Sequence, residues 1–243
     1  MLKNVRDNTK RIFKDAGLAL YGFSFILIIF SVGLFALAKF ILAPYSGIFK
    51  IFFCIIMSFL CDVVAAPLIV GAYEWISQLA AGKTTPMKNA FERFSDLASL
   101  IQSQRIFICV KLSLVTAVLP AVFMLCFTAY SSSEALYGNF LFIIAAFILS
   151  FRLLCGIFPL MHIMLNAPHV SFLSAIQISF LAMRGKGKEF VSILFGFIWK
   201  TIVSALSFGA LSVYMLPRIL CTAVLYSDAV FEEKQLYKYN LYY

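Results

Sequence analysis

The sequence is poor in charge, and poorest in negative charge. Charged residues make up 13% of its 243 positions, about half the share of an ordinary soluble domain. Eleven acids stand against twenty lysines and arginines, for a net charge of +9. A soluble fold needs a polar coat that this composition does not supply. Only two histidines occur, and His162 and His169 are not spaced as a helical metal pair. The six cysteines, Cys54, Cys61, Cys109, Cys126, Cys155 and Cys221, form no C-x-x-C pair. All six lie in apolar runs, where cysteine behaves as a small buried hydrophobe. The sequence contains no G-x-S-x-G, no H-E-x-x-H, no phosphate loop and no dinucleotide fingerprint. The soft-ligand run MHIM at 161–164 is too short to outweigh these absences. The expectation is a protein that is not an enzyme and holds no metal or cofactor.

What the chain has in plenty is apolar surface. Hydrophobic residues reach 63%, with 27 phenylalanines. A soluble chain of this length has too little interior to hide them, so lipid must be the solvent for most of it. A membrane span needs about 20 apolar residues. Six runs qualify: 16–38, 51–72, 106–130, 140–165, 190–208 and 210–230. The expected fold class is therefore all-α, a polytopic transmembrane helical bundle of about six spans in a single membrane domain, 1–243. Only the small-residue stretch SFGALS divides the last two runs, so five spans with a re-entrant end is the alternative. The run at 16–38 is 23 residues long, against about 7–15 for a signal core, and reads as an uncleaved first span.

The excess of positive charge sets the orientation rather than pointing to nucleic acid. Lysine and arginine are retained in cytoplasmic segments. The head carries Lys3, Arg6, Lys10, Arg11 and Lys14; the loop after the second span carries Lys83, Lys88, Arg93 and Arg105; the loop after the fourth carries Arg184, Lys186 and Lys188; the tail carries Lys234 and Lys238. With six spans these segments share one side. The loop at 131–139 has no base and one acid, Glu134. Lys39 and Lys50 oppose the trend and are outnumbered. Both termini are expected in the cytoplasm of a cell whose membrane this protein crosses several times. In the knot RGKGKE, glycines 185 and 187 are expected to turn the chain between helices.

Two inner loops carry helical periodicity. Over 86–104, Met87, Phe91, Phe94, Leu97 or Ala98, and Ile101 recur at spacings of three and four, with Lys88, Glu92, Arg93 and Asp96 opposite. Thr85 is a plausible cap and Pro86 suits a first helical turn. Over 171–184, Leu173, Ile176, Phe180 and Met183 recur likewise, with Ser171, Ser174 and Gln177 opposite. Each segment is expected to be a cytoplasmic amphipathic helix, lying on the interface or on the bundle's inner surface. The two halves thus share an outline: a span inward, a proline turn, an amphipathic helix and a span outward. That is a parallel echo rather than an inverted repeat.

Four charges fall inside apolar runs: Asp62, Arg152, Lys200 and Arg218. A charge at mid-membrane is costly and normally faces protein or water. Asp62 and Arg152 each lie about halfway along an inward-running span, which makes them the expected ion pair. Lys200 and Arg218 fall in the outer halves of their runs, where a long stem can snorkel; the alternative for Lys200 is a second partner for Asp62. One acid against three bases is poor material for a proton relay. Prolines 67, 120, 159 and 217 lie inside four runs and kink helices in structural and transport proteins alike. Arg184, Lys186 and Lys188 are the expected contacts for anionic lipid.

The stretch NAPHVSFLSAIQISFLAMRGKGKEFVSILFGFIWKTI, followed by GALSVYMLPRILCTAVLYSDAVFEE, resembles bacterial membrane proteins grouped as domain of unknown function 975. The matching positions are Asn166, Pro168, Ala175, Ser179, Met183, Gly185, Phe197, Trp199, Tyr214, Pro217 and Glu232. GAYEWISQLAAGKTT is similar to that family's earlier Gly-led segment. The chain departs from the pattern in Asn-Ala-Pro, where the two outer residues are usually adjacent, and in Lys200 after the tryptophan. The resemblance implies a polytopic helical protein of a bacterial plasma membrane and implies no activity. Two functions follow as expectations. One is a non-enzymatic membrane protein binding lipid, a protein partner or a second copy through its basic inner face. The other is a small-molecule or ion transporter using the mid-membrane charges.

Overall fold

A computed structural model describes residues 1–44, 46–130, 136–207 and 211–234. The acidic loop at 131–135, the small-residue break at 208–210 and Lys238 lie outside the described residues. Among the described residues all regular structure is helical: α1 (Leu2–Leu42), α2 (Gly47–Ala80), a 3₁₀ helix (Met87–Phe94), α3 (Leu97–Tyr130), α4 (Leu136–Ile157), α5 (Leu160–Asn166), α6 (Phe172–Met183), α7 (Gly187–Leu206) and α8 (Ser212–Glu233). Among the described residues five stretches are long and apolar enough to cross a membrane: Leu2–Phe30, Ile51–Ala80, Leu97–Thr128, Phe140–Asn166 and Ser212–Glu233. Of the run at 190–208, residues 190–206 belong to α7, a separate 20-residue helix that is not among those five. The chain is thus an all-α, multi-pass integral membrane protein. By packing it divides into two compact units, 1–105 with 193–229, and 106–192 with 230–243.

In the first unit, α1 is a single helix of 41 residues that includes the basic head. The head folds because Val5 and Ile12 recur on one face and are buried, while Lys3, Arg6 and Lys10 stay exposed. Further along, Phe23 sets its ring edge against Trp75 at 5.8 Å and Phe91 at 5.6 Å. Residues 66–76 of α2 are buried nearly all round, as suits a helix with no polar face. At Gly71 the 3₁₀ helix crosses so closely that an added Cβ would sit 2.2 Å from the Ala90 carbonyl oxygen. Only glycine permits that approach. Beyond this packed zone, Phe25, Ile29, Phe40, Phe52, Ile55 and Phe59 are exposed; lipid is the only solvent in which such a surface is stable.

The segment expected as one amphipathic helix over 86–104 is two elements. The chain breaks at Ser95–Asp96, and Asp96 caps α3 by accepting the Ser99 N–H at 2.5 Å. Asparagine, aspartate and serine compete for backbone groups in this way and favour helix starts over interiors. The buried face also differs: Ala90 is fully buried, whereas Leu97 and Ile101 are exposed. Thr85, expected as a cap, instead gives its carbonyl to the Trp75 indole N–H at 3.1 Å. The 3₁₀ helix is held by Arg93, which donates from Nε and Nη2 to the two oxygens of Glu74 and from Nη1 to Gln102 at 2.7 Å. This loop is clamped to protein, and its largest apolar side chains do not all face one way.

In the second unit, α4 ends at Ile157 and α5 begins after Pro159, because a proline has no N–H to continue the ladder and its ring crowds the preceding turn. Phe190 at the start of α7 packs on Phe151 and Phe158, with ring centres 5.7 and 5.3 Å away. α6 begins at the expected place, with Ser171 Oγ accepting from the Ser174 N–H at 3.3 Å. Its buried face is Ala175, Ser179, Ala182 and Met183, against α4 and α5. The apolar stripe is divided: Met183 is buried and Ile176 half-buried, whereas Leu173, 72% exposed, and Phe180 face away from the protein. Small side chains win the interior here because the helices approach too closely for large ones. Gly185 makes the turn into α7 with φ +84°, while Gly187 is simply the first residue of that helix.

Candidate functional site

The second unit contains an open cavity of about 710 Å³ between α4, α6 and the turn into α7. From α4 it takes Ile148, Phe151, Arg152, Cys155 and Gly156, positions that share one helical face. α6 contributes Gln177, Phe180 and Leu181, and the turn contributes Arg184 and Gly185. The groove exists because α6 crosses α4 at Gly156. An added Cβ there would lie 2.5 Å from the Phe180 ring. Ser179 Oγ donates to the Gly156 carbonyl and fixes the crossing. The walls are mainly apolar, with three polar side chains at intervals: Arg152, Gln177 and Arg184. All three are exposed. Among the described residues, none of the three has a side-chain hydrogen bond or an ion pair. Two guanidinium groups, each with five donors, therefore border an oily slot with no carboxylate to answer them.

Two residues expected in separate roles meet here. Arg152 was singled out as a mid-membrane charge and Arg184 as a lipid contact, and both line one cavity. The other expected lipid contacts divide. Lys188 is exposed. Lys186 is only 8% exposed, bonded to Glu233 and 3.8 Å from Glu189. It ties the turn that carries Arg184 to the end of α8 and is not available to lipid. Asp62 belongs to the first unit, half-buried, with its carbonyl accepting from Gln104 at 3.1 Å. Arg152 belongs to the second.

Lys200 and Arg218 lie in the first unit. The Arg218 guanidinium stands 4.0 Å over the Tyr214 ring and 5.4 Å from that of Phe13. Tyr214 stacks on Tyr21 at 5.6 Å. Arg218, expected in the outer half of its run, thus sits beside the head end of α1.

The sequence reading missed Phe151, Cys155, Gly156 and Phe180 as groove walls, and Gln177 as more than a helix-face residue. The spacing 148, 151, 152, 155, 156 on α4 was the available signal: a single face pairing one arginine with apolar side chains and a glycine. His162 is sealed in, with Asn166 Nδ2 3.1 Å from its Nε2 and the Phe231 ring 5.0 Å away.

The fold and the groove define the class: a multi-pass α-helical membrane protein with an arginine-bordered apolar slot. Comparison with protein-family models, with characterised proteins and with solved structures gives no match to this chain.

Proposed function

We propose that this is a non-enzymatic membrane protein that binds an anionic lipid in the groove between α4 and α6. The observation that carries the reading is the pairing of Arg152 and Arg184 on one apolar cavity, both without an acidic partner among the described residues. Hydrocarbon packs along Ile148, Phe151, Phe180 and Leu181, and the anionic headgroup meets the two guanidinium groups and Gln177. Each near-surface base contributes about 1 kcal/mol of attraction to anionic lipid. The groove lining contains no histidine and no carboxylate, so it lacks the groups that general acid–base chemistry most often uses. The basic segments place both termini and the arginine-bearing turn in the cytoplasm of a cell membrane in this reading. The resemblance of the C-terminal half to the bacterial family named above accords with it and adds no activity.

The test is native mass spectrometry of the detergent-purified protein with phosphatidylglycerol and phosphatidylcholine. Wild type is expected to retain phosphatidylglycerol preferentially. Arg152→Gln with Arg184→Gln is expected to lose that preference at the groove by roughly tenfold or more, from two charges. Unchanged retention would refute the reading. A double variant that keeps its lipid but abolishes uptake of a solute would replace it with transport.

A further inference from the structure

The polar lining of the groove between α4 and α6 is more selective than its charge alone. Its polar side chains are Arg152, Gln177 and Arg184. Each guanidinium brings five N–H donors and the amide two more. Against these donors stands a single side-chain oxygen, that of Gln177. An ammonium-bearing headgroup would meet no carboxylate in this lining. A headgroup of several hydroxyls would find few side-chain acceptors. The lining suits a small group that only accepts hydrogen bonds and carries more than one negative charge.

The two arginines converge because of where the helices cross. α6 meets α4 where Phe180 packs on Gly156 and Ser179 donates to the Gly156 carbonyl. From that crossing the cavity takes α4 only on its upstream side, 148–156, and α6 chiefly on its downstream side, as far as Gly187. Arg152 stands four residues before Gly156, and Arg184 four residues after Phe180. Each is therefore about 6 Å along the chain from the crossing, and both lie on the same side of it. An anion between them is within reach of both long stems, and each guanidinium can present two parallel N–H groups to a phosphate. The lipid-facing surface ends at the same place. α4 exposes Phe140, Phe147, Ile148 and Leu149 ahead of Arg152, whereas Cys155, Ile157 and Leu160 beyond it are buried. An acyl chain that follows the exposed length of α4 thus brings its polar end to Arg152.

We infer that the groove selects a lipid phosphomonoester, a phosphate esterified only to the lipid, over the phosphodiester headgroups of other anionic lipids. The inference rests on the lipid-binding reading proposed above. A phosphomonoester carries a charge of about −1.5 to −2 near pH 7 and three strong acceptor oxygens. A phosphodiester carries a single charge and two free oxygens. Two guanidinium groups without an acidic partner among the described residues match the first and exceed the second, and the Gln177 amide can donate to the remaining oxygen.

Native mass spectrometry of the full chain in detergent tests this with four dioleoyl lipids. They are phosphatidic acid, which is the phosphomonoester, phosphatidylmethanol, which is a phosphodiester with the smallest cap, phosphatidylglycerol and phosphatidylcholine. Wild type is expected to hold phosphatidic acid about fivefold more tightly than either phosphodiester anion, the effect of about one further near-surface charge. Arg152→Gln and Arg184→Gln are each expected to remove that preference while still holding the anionic lipids above phosphatidylcholine. Both side chains are exposed, so the melting temperature should stay unchanged. Arg184→Lys is expected to lose part of the preference, because it keeps the charge without the fork. Equal retention of phosphatidic acid and both phosphodiester anions by wild type would overturn the phosphomonoester assignment and leave the anionic-lipid reading standing; that comparison needs no variant. Equal retention of all four lipids would overturn both. Phosphatidylmethanol held as tightly as phosphatidic acid would show that headgroup size decides, against the charge match. A preference for phosphatidic acid that survives in Arg152→Gln/Arg184→Gln would place the site elsewhere. Displacement of phosphatidic acid by equimolar glycerol 3-phosphate would assign the groove to a free phosphate ester and overturn the lipid.

Discussion

Arg93 is the side chain whose loss is expected to change the inner surface most. Its guanidinium is 13% exposed and the Glu74 carboxylate 32%. Nε reaches Glu74 Oε2 at 2.7 Å, Nη2 engages the other oxygen, and Nη1 meets Gln102 at 2.7 Å. At an effective dielectric near 20, two unit charges about 4 Å apart attract by about 4 kcal/mol before desolvation is charged against them. Truncating one partner of a fully buried pair costs about 3–5 kcal/mol, and an exposed pair is worth under about 1. Arg93 is close to the buried limit and Glu74 is between the two. Arg93→Ala is therefore expected to cost about 2–3 kcal/mol, and Glu74→Gln about 1–2, since the amide still accepts one hydrogen bond. The double variant is expected to show a coupling of about 1–2 kcal/mol rather than a sum. Thermal unfolding in detergent measures the costs. Trypsin reads the structural consequence, because the 3₁₀ helix should leave α2 and expose cleavage after Lys83 and Lys88. A coupling below about 0.5 kcal/mol, with no change in cleavage, would refute the clamp.

Four further outcomes are expected. Lys186→Gln should destabilise the protein by about 1–3 kcal/mol, because it leaves Glu233 and Glu189 facing each other without their cation; Glu233→Gln should cost less, since that carboxylate is half exposed. Gly156→Ala should push the Phe180 ring out of its seat and weaken lipid retention at the groove, seen by native mass spectrometry. The Ser99 N–H holds the Asp96 carboxyl below its ordinary range. Its stabilisation of the α3 start is then full above an unfolded pKa near 4 and lost as pH falls through the lower folded value; the protection factor at Ser99, taken relative to the intrinsic exchange rate at each pH, should fall on acidification in wild type and stay constant in Asp96→Asn. A cysteine at the exposed Thr84, in a Cys-free background, should resist an impermeant thiol reagent added to whole cells, and labelling there would reverse the orientation.

Composition and hydropathy alone determined the class of this protein. A chain that is 63% hydrophobic, with runs of 20 residues and more, has few stable states besides membrane-spanning helices, because an unpaired backbone group in lipid costs too much. Helix starts at Ser171 and the turn at Gly185 were legible for a similar reason: each depends on one residue's own chemistry. The direction in which a helix faces was not. On α6 the stripe of large side chains suited the lipid interface and the protein's own surface equally; the structure buries Ala175, Ser179, Ala182 and Met183 and leaves Leu173 and Phe180 exposed. In water, burying the larger apolar side chain is favoured. In lipid that drive largely vanishes and close packing decides, which favours small residues at the contact. The lysines and arginines show the same limit. As a count they give an orientation, but Arg93 and Lys186 are spent inside the protein on Glu74 and Glu233. Arg152 and Arg184 share a cavity although they are 32 positions apart in the chain. Which bases find acids depends on which helices meet. That was decided by close approaches such as those at Gly71 and Gly156, which no local pattern in the sequence encodes.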